Sequence, residues 1–220
     1  MRAPPLQLQR FLVVLPLLAP LTASASVLLT DGDFSAATLS NFGTTTTSLL
    51  ATGGNPGARI QVTTVSGSST GGLVINGTAV TGLLEGASFE FGLSVLKGSG
   101  SFGQGQAVGL VIKQGSTVWV SFLYNTGVRS SWTAQTASGT LRAADFNRVA
   151  GSATGGPVLN GSVTSYFGFY ASNANSGTLT QYYDNWSLNI DTSTVPGPGA
   201  LALLAVAAGC GRRRRDSCKR

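Results

Sequence analysis

Apolar and polar positions alternate with period two through much of the chain between residues 26 and 194. Phe89, Phe91, Leu93 and Val95 interleave with Ser88, Glu90, Gly92 and Ser94. That is the pattern of an extended strand with one buried face. Val118, Val120, Phe122 and Tyr124 repeat it against Trp119, Ser121, Leu123 and Asn125. Shorter segments at 27–30, 58–64, 72–75, 107–113, 140–143, 166–171 and 186–190 read the same way. About ten strands are predicted, and no helix of useful length competes with them.

Turn-forming clusters separate these segments, at Gly53-Gly54-Asn55-Pro56-Gly57 and at 66–72, 97–105 and 151–157. They supply residues that tolerate positive φ or fix a bend, and their recurrence between short strands marks a sandwich or barrel. A chain this rich in Gly, Ser and Thr and this poor in charge also fits the composition of a disordered segment, but the regular alternation argues for a packed core. The expectation is an all-β, antiparallel β-sandwich over 26–194.

The two ends of the chain depart from this pattern. Arg2 and Arg10 frame a positive start, 11–21 is apolar, and Ala23-Ser24-Ala25 is a small-residue cleavage site. This is the layout of a secretory signal peptide over 1–25, with cleavage after Ala25. At the other end Val195-Pro196-Gly197-Pro198 precedes an apolar run at 200–208 and the cluster Arg212, Arg213, Arg214 and Arg215. The stretch 195–211 is at the short limit for crossing a bilayer of roughly 30 Å, which suits a transient anchor.

That tail, 195–220, resembles the PEP-CTERM sorting signals that exosortase-type enzymes process on exported bacterial proteins, with Gly197 where the family motif has Glu. The resemblance implies a signal helix and a hydrophobic sorting helix flanking the sandwich, an exosortase-like partner, and transient membrane association through the tail. It further implies an exported protein at the cell surface or outside the cell, in the setting of biofilm and extracellular polysaccharide.

The charge belongs mostly to the sorting segments. The whole chain carries +6, yet 26–194 holds Arg59, Lys97, Lys113, Arg129, Arg142 and Arg148 against Asp31, Asp33, Glu85, Glu90, Asp145, Asp184 and Asp191. A body so near neutral gives no electrostatic case for nucleic acid. There is no histidine, and both cysteines, Cys210 and Cys218, lie in the tail. The body therefore forms no disulfide, no zinc site of the usual ligands, and no Cys or His nucleophile.

Leu29-Thr30-Asp31-Gly32-Asp33-Phe34 and Tyr183-Asp184-Asn185-Trp186-Ser187-Leu188 resemble the first and last strands of jelly-roll carbohydrate-binding modules and concanavalin A-like domains. The resemblance implies a jelly-roll arrangement with the terminal strands side by side. It also implies a structural calcium between them, held by Asp31, Asp33 and Asp184 with backbone carbonyls, since calcium takes six to eight oxygen ligands. Asp31 and Asp33 shaping a turn, with Asp184 at a strand edge, accounts for the same residues; no other cofactor is expected.

Sugar binding needs an aromatic platform beside polar groups, because the apolar face of a pyranose packs on a ring while its hydroxyls need partners. Trp132, in a polar loop, and Trp119 are the candidates, with Asn125, Arg129 and Gln135 near in sequence. Tyr182 and Tyr183 are adjacent and face opposite ways in a strand, so one of them is a further exposed candidate. Core packing is the competing role for each ring. Glycoside hydrolysis needs two carboxylates facing across a cleft, and Glu85 and Glu90 are the only close glutamates. The expectation is a non-catalytic protein, either a structural or adhesive component of a polysaccharide matrix or a carbohydrate-binding module. A hydrolase is a third reading, which requires Glu85 and Glu90 to share one cleft.

Overall fold

A computed structural model describes residues 26–32, 34–65, 71–100, 106–173 and 177–192. The expected signal peptide, Asp33 and the sorting segment with Val195, Pro196, Gly197, Pro198 and Arg212 to Arg215 lie outside the described residues.

Among the described residues, twelve strands form two antiparallel sheets packed face to face. The first six in chain order are β1 (Ser26–Asp31), β2 (Ala37–Phe42), β3 (Thr46–Leu50), β4 (Arg59–Val65), β5 (Gly71–Asn76) and β6 (Ser88–Gly100). The next six are β7 (Ala107–Gln114), β8 (Thr117–Asn125), β9 (Thr133–Thr140), β10 (Asn147–Ala150), β11 (Tyr166–Ser172) and β12 (Thr178–Asp191). Sheet A runs β3-β4-β12-β6-β9, with β1 also paired to β12, and sheet B runs β10-β8-β7-β11-β5-β2. The jelly-roll expectation holds, and the first and last strands lie side by side, Asp31 opposite Trp186. The only helical element among the described residues is a short 3₁₀ turn at Ala143–Asp145. No helix among them is long and apolar enough to cross a membrane.

The core fills the space between the sheets. Sheet A contributes Ile60, Val62, Phe89, Phe91, Leu93, Val95, Tyr183, Trp186, Leu188 and Ile190, and sheet B contributes Val74, Val108, Leu110, Ile112, Trp119, Phe167, Phe169 and Ala171. These are the alternate positions of each strand, as a pleated sheet with one inner face requires. The outer face of sheet B is also apolar, with Leu73, Ile75, Val111, Val118 and Val120 clustered there.

Three expectations are corrected by this arrangement. On β8 it is Trp119 that enters the core, while Val118 and Val120 face outward and Phe122 is 63% exposed. A bulge between the Val108–Tyr124 and Gly109–Phe122 pairs then turns Tyr124 back inward. Residues 140–143 are not a strand, because β9 ends at Thr140 and buried Leu141 instead bonds through its N–H to the Ala87 carbonyl. Finally β2, β3, β9 and β10 are additional; these edge strands are either rich in Thr and Ser or, as at β10, only four residues long, and carry little apolar alternation to betray them.

A buried polar cluster ties the sheets together near one end. The Gln106 amide N–H donates to Gln181 Oε1 at 2.9 Å, and the Gln106 side chain donates to Thr64 at 2.8 Å and accepts from the Tyr183 hydroxyl at 2.6 Å. Thr126 donates to Gln181 Oε1 at 2.7 Å, and Gln181 Nε2 donates to the Gly127 carbonyl at 3.0 Å. Every member has a partner, which is the condition for buried polar groups to rigidify a core.

Candidate functional site

The cross-strand register of sheet B aligns Phe122 on β8, Gly109 on β7 and Tyr170 on β11 in one row of its outer face. Adjacent strands are about 4.8 Å apart, so the two aromatic residues stand about 10 Å apart with a glycine between them. Gly109 is required there: a Cβ would come within 2.5 Å of Val120 Cγ1 and 2.9 Å of the Ser121 carbonyl oxygen. The result is a groove of about 220 Å³ lined by Phe122, Gly109, Tyr170, Val120, Val149, Asn147 and Ser172. Tyr170 leans over Gly71, where an added Cβ would lie 2.1 Å from its ring. Burial raises the Tyr170 phenol above its ordinary value, and a hydrogen bond with the Ser172 side chain partly offsets this. The phenol is therefore neutral at physiological pH, able to donate as well as accept.

The residues singled out from sequence are dispersed. Trp119 is only 3% exposed, and its Nε1 donates to the Gly155 carbonyl at 2.8 Å, so its ring is core and presents no platform. Trp132 is half-buried, immediately before β9. Arg129 Nε and Gln135 Nε2 both donate to the Thr126 carbonyl, at 3.2 and 2.9 Å, so these two do come together, around the backbone beneath β8's end. Gln135 Oε1 is buried with no partner among the described residues. Asn125 is exposed and pairs with Ala107, which sets it on the same outer face as Phe122. Tyr183 is fully buried, whereas Tyr182 lies half-buried beneath Arg59, whose guanidinium carbon is 3.8 Å from the ring centroid.

The carboxylates each make contacts of their own. Asp31 accepts the Ser35 N–H at 3.0 Å and the Asn76 side-chain amide at 3.1 Å, at the edge between the sheets. Asp184 is fully buried beside the 53–57 loop and accepts the backbone N–H groups of Asn55 and Asn185. No three acidic side chains gather among the described residues. Asp31 and Asp184, the described members of the expected calcium set, each accept hydrogen bonds from neighbouring amides, and Asp33, the third member, lies outside the described residues. Glu85 accepts the Ala143 N–H at 3.0 Å, while Glu90 lines a groove on the outer face of sheet A that Glu85 does not reach. They do not face each other across one cleft, as a glycosidase pair must.

The sheet A groove, about 550 Å³, is lined by Leu28, Glu90, Gly92, Thr136, Ser138, Ser187 and Asn189. It is the larger of the two but has no exposed ring; Phe91, which borders it, is 1% exposed. Aromatic stacking is thus available in the sheet B groove and not in the sheet A groove. Phe122, Gly109, Tyr170 and Asn147 were not singled out from sequence, because both faces of sheet B are apolar and nothing local tells which face of β8 is outward.

No protein-family model matches this chain, and no curated protein matches it in sequence. Among solved structures, the N-terminal CBM22-1-CBM22-2 tandem domain of Paenibacillus barcinonensis Xyn10C is similar with a TM-score of 0.50 at 10% identity, over 80% of this chain and 48% of that one. The CBM22-1 xylan-binding domain of the same enzyme gives 0.47 at 10% identity, over 78% and 99%. The family 11 carbohydrate-binding module of Clostridium thermocellum Lic26A-Cel5E gives 0.41 at 16%, over 76% and 95%. At such identities the likeness is one of fold: the body is a β-sandwich resembling those of carbohydrate-binding modules.

Proposed function

We propose that the protein is a non-catalytic carbohydrate-binding module whose ligand lies on the outer face of sheet B. The observation that carries this is the Phe122–Gly109–Tyr170 row, an exposed ring beside a glycine floor with Tyr170 bordering its far side, and with Asn147 and Ser172 lining the same groove and Asn125 on the same face. A pyranose fits such a slot by placing its apolar faces against the rings and its hydroxyls against the amide and hydroxyl groups. The groove is small beside pockets for drug-sized ligands, which suits one sugar residue of a longer chain. Solved structures of similar fold include a xylan-binding domain and a module in complex with a β-1,3-1,4-mixed-linked tetrasaccharide, so xylan and mixed-linked glucan are the first polysaccharides to try.

Export and surface sorting belong to the same reading and are supported by the sequences of 1–25 and 195–220 alone. They place the module in contact with extracellular polysaccharide. Affinity electrophoresis in gels containing each polysaccharide tests the proposal, with Phe122→Ala and Trp132→Ala as separate arms. Retardation abolished by Phe122→Ala and kept by Trp132→Ala supports it. Retardation lost only with Trp132→Ala moves the site to the end of the sandwich, and none with any glycan leaves the matrix-structural role.

A further inference from the structure

An edge strand carries backbone N–H and C=O groups that no neighbour satisfies, and natural sheets protect such edges by brevity, charge, proline or bulges. Sheet B follows that rule at β10, which has four residues, a charge at Arg148 and a register shift. At sheet A's far edge β9 does not. It pairs with β6 over eight residues without a break, from Ser88 opposite Thr140 to Val95 opposite Thr133. Its sequence TAQTASGT has no charge, no proline and no bulge. Among the described residues no second strand pairs with it, and Ala134, Thr136, Ser138, Gly139 and Thr140 are exposed.

We infer that β9 is a strand-addition edge whose occupant is β9 of a second copy of this chain, joining two copies of sheet A into one. In an antiparallel pair, residues directly opposite are both hydrogen-bonded or both not, and both project to the same face. A two-fold axis through Thr136 or Ala137 meets both conditions, and the contact closes as a dimer. An uncharged strand meets itself without a like-charge pair. Its outward side chains are Ala, Thr, Ser and Thr, and opposed hydroxyl residues bond across strands. Sheet A already does this where Thr63 and Thr180 face each other, with hydroxyl oxygens 2.8 Å apart. A foreign peptide, by contrast, is selected through pockets for its alternate side chains, and these four residues are too small to build any. The inference is independent of glycan binding and uses a different sheet.

Cysteine cross-linking of the full chain, with Cys210 and Cys218 replaced by serine, tests it. Thr136→Cys, Ala137→Cys and, on the opposite edge strand β3, Ser48→Cys are each oxidised mildly and run on non-reducing gels. The expected result is a covalent dimer at position 136 or 137 and none at 48. Adding Ala134→Lys and Ser138→Lys sets like charges directly opposite across a pair centred on Thr136 and diagonally across one centred on Ala137, and should lower dimer yield about tenfold or more in the first case and several-fold in the second, with the circular dichroism spectrum unchanged. No dimer at 136 or 137, or a yield that the lysines leave intact, overturns the inference.

Discussion

The buried carboxylate of Asp184 accepts the backbone N–H of Asn55, 129 residues earlier in the chain. The contact is returned, since the side-chain amide of Asn185 donates to the Asn55 carbonyl at 2.6 Å. Asn185 sits at φ 51 within the β12 bulge, so the bulge and the 53–57 loop clasp each other. Gly54 completes the fit: a Cβ there would lie 2.2 Å from the Ala58 carbonyl oxygen and 2.6 Å from Asp184 Oδ2.

Removing that carboxylate strands two amides. Hydrogen bonds to a charged group contribute about 1.5–3 kcal/mol each, so Asp184→Ala should cost about 3 kcal/mol. For a domain of this size that is a fall of roughly 6–12 °C in Tm, read by circular dichroism. A fall of less than about 2 °C would show that the clasp does not hold the loop.

The glutamine cluster predicts non-additivity. Tyr183 and Gln106 meet through a 2.6 Å hydrogen bond within a network of shared acceptors. Tyr183→Phe and Gln106→Leu should each destabilise, and the double variant should fall short of their sum by about 1 kcal/mol. Chemical denaturation of the four proteins measures it; strict additivity is the contrary result.

Burial raises the phenol of Tyr124 far above its usual value, and burial followed by the proximity of Tyr124 does the same for Tyr183. The unfolded chain loses these protons near pH 10, before the folded one does. Stability from these groups is therefore complete below about pH 10 and declines as pH rises beyond it. In a spectrophotometric titration, Tyr124 and Tyr183 should ionise only as the chain unfolds. All five tyrosines titrating reversibly near pH 10 in the native state would contradict this.

Much of the architecture was legible in the sequence, and the reasons are local. Phe89 to Val95 alternate because β6 has a core face and an open face, and the first and last strands do lie side by side, with Asp31 opposite Trp186. Strand facing was not legible on β8, since sheet B is apolar on both sides: Val118 and Val120 look as buried as Trp119. Edge strands such as β9 were hidden for the opposite reason, having no apolar face to announce them. The candidate site depends on cross-strand register, and nothing in the sequence places Gly109 between Phe122 and Tyr170. Arg129 and Gln135 did converge, both on the Thr126 carbonyl.

The most direct test is to map bound sugar onto the protein by following backbone amide NMR shifts during titration with xylo- and mixed-linked gluco-oligosaccharides. The largest shifts should fall on Gly109, Phe122, Asn147, Tyr170 and Ser172. Phe122→Ala should weaken binding roughly 10- to 100-fold, the equivalent of burying one aromatic side chain. Shifts confined to Arg129, Trp132 and Gln135, or to Glu90 and Asn189 on sheet A, would contradict a binding face on sheet B.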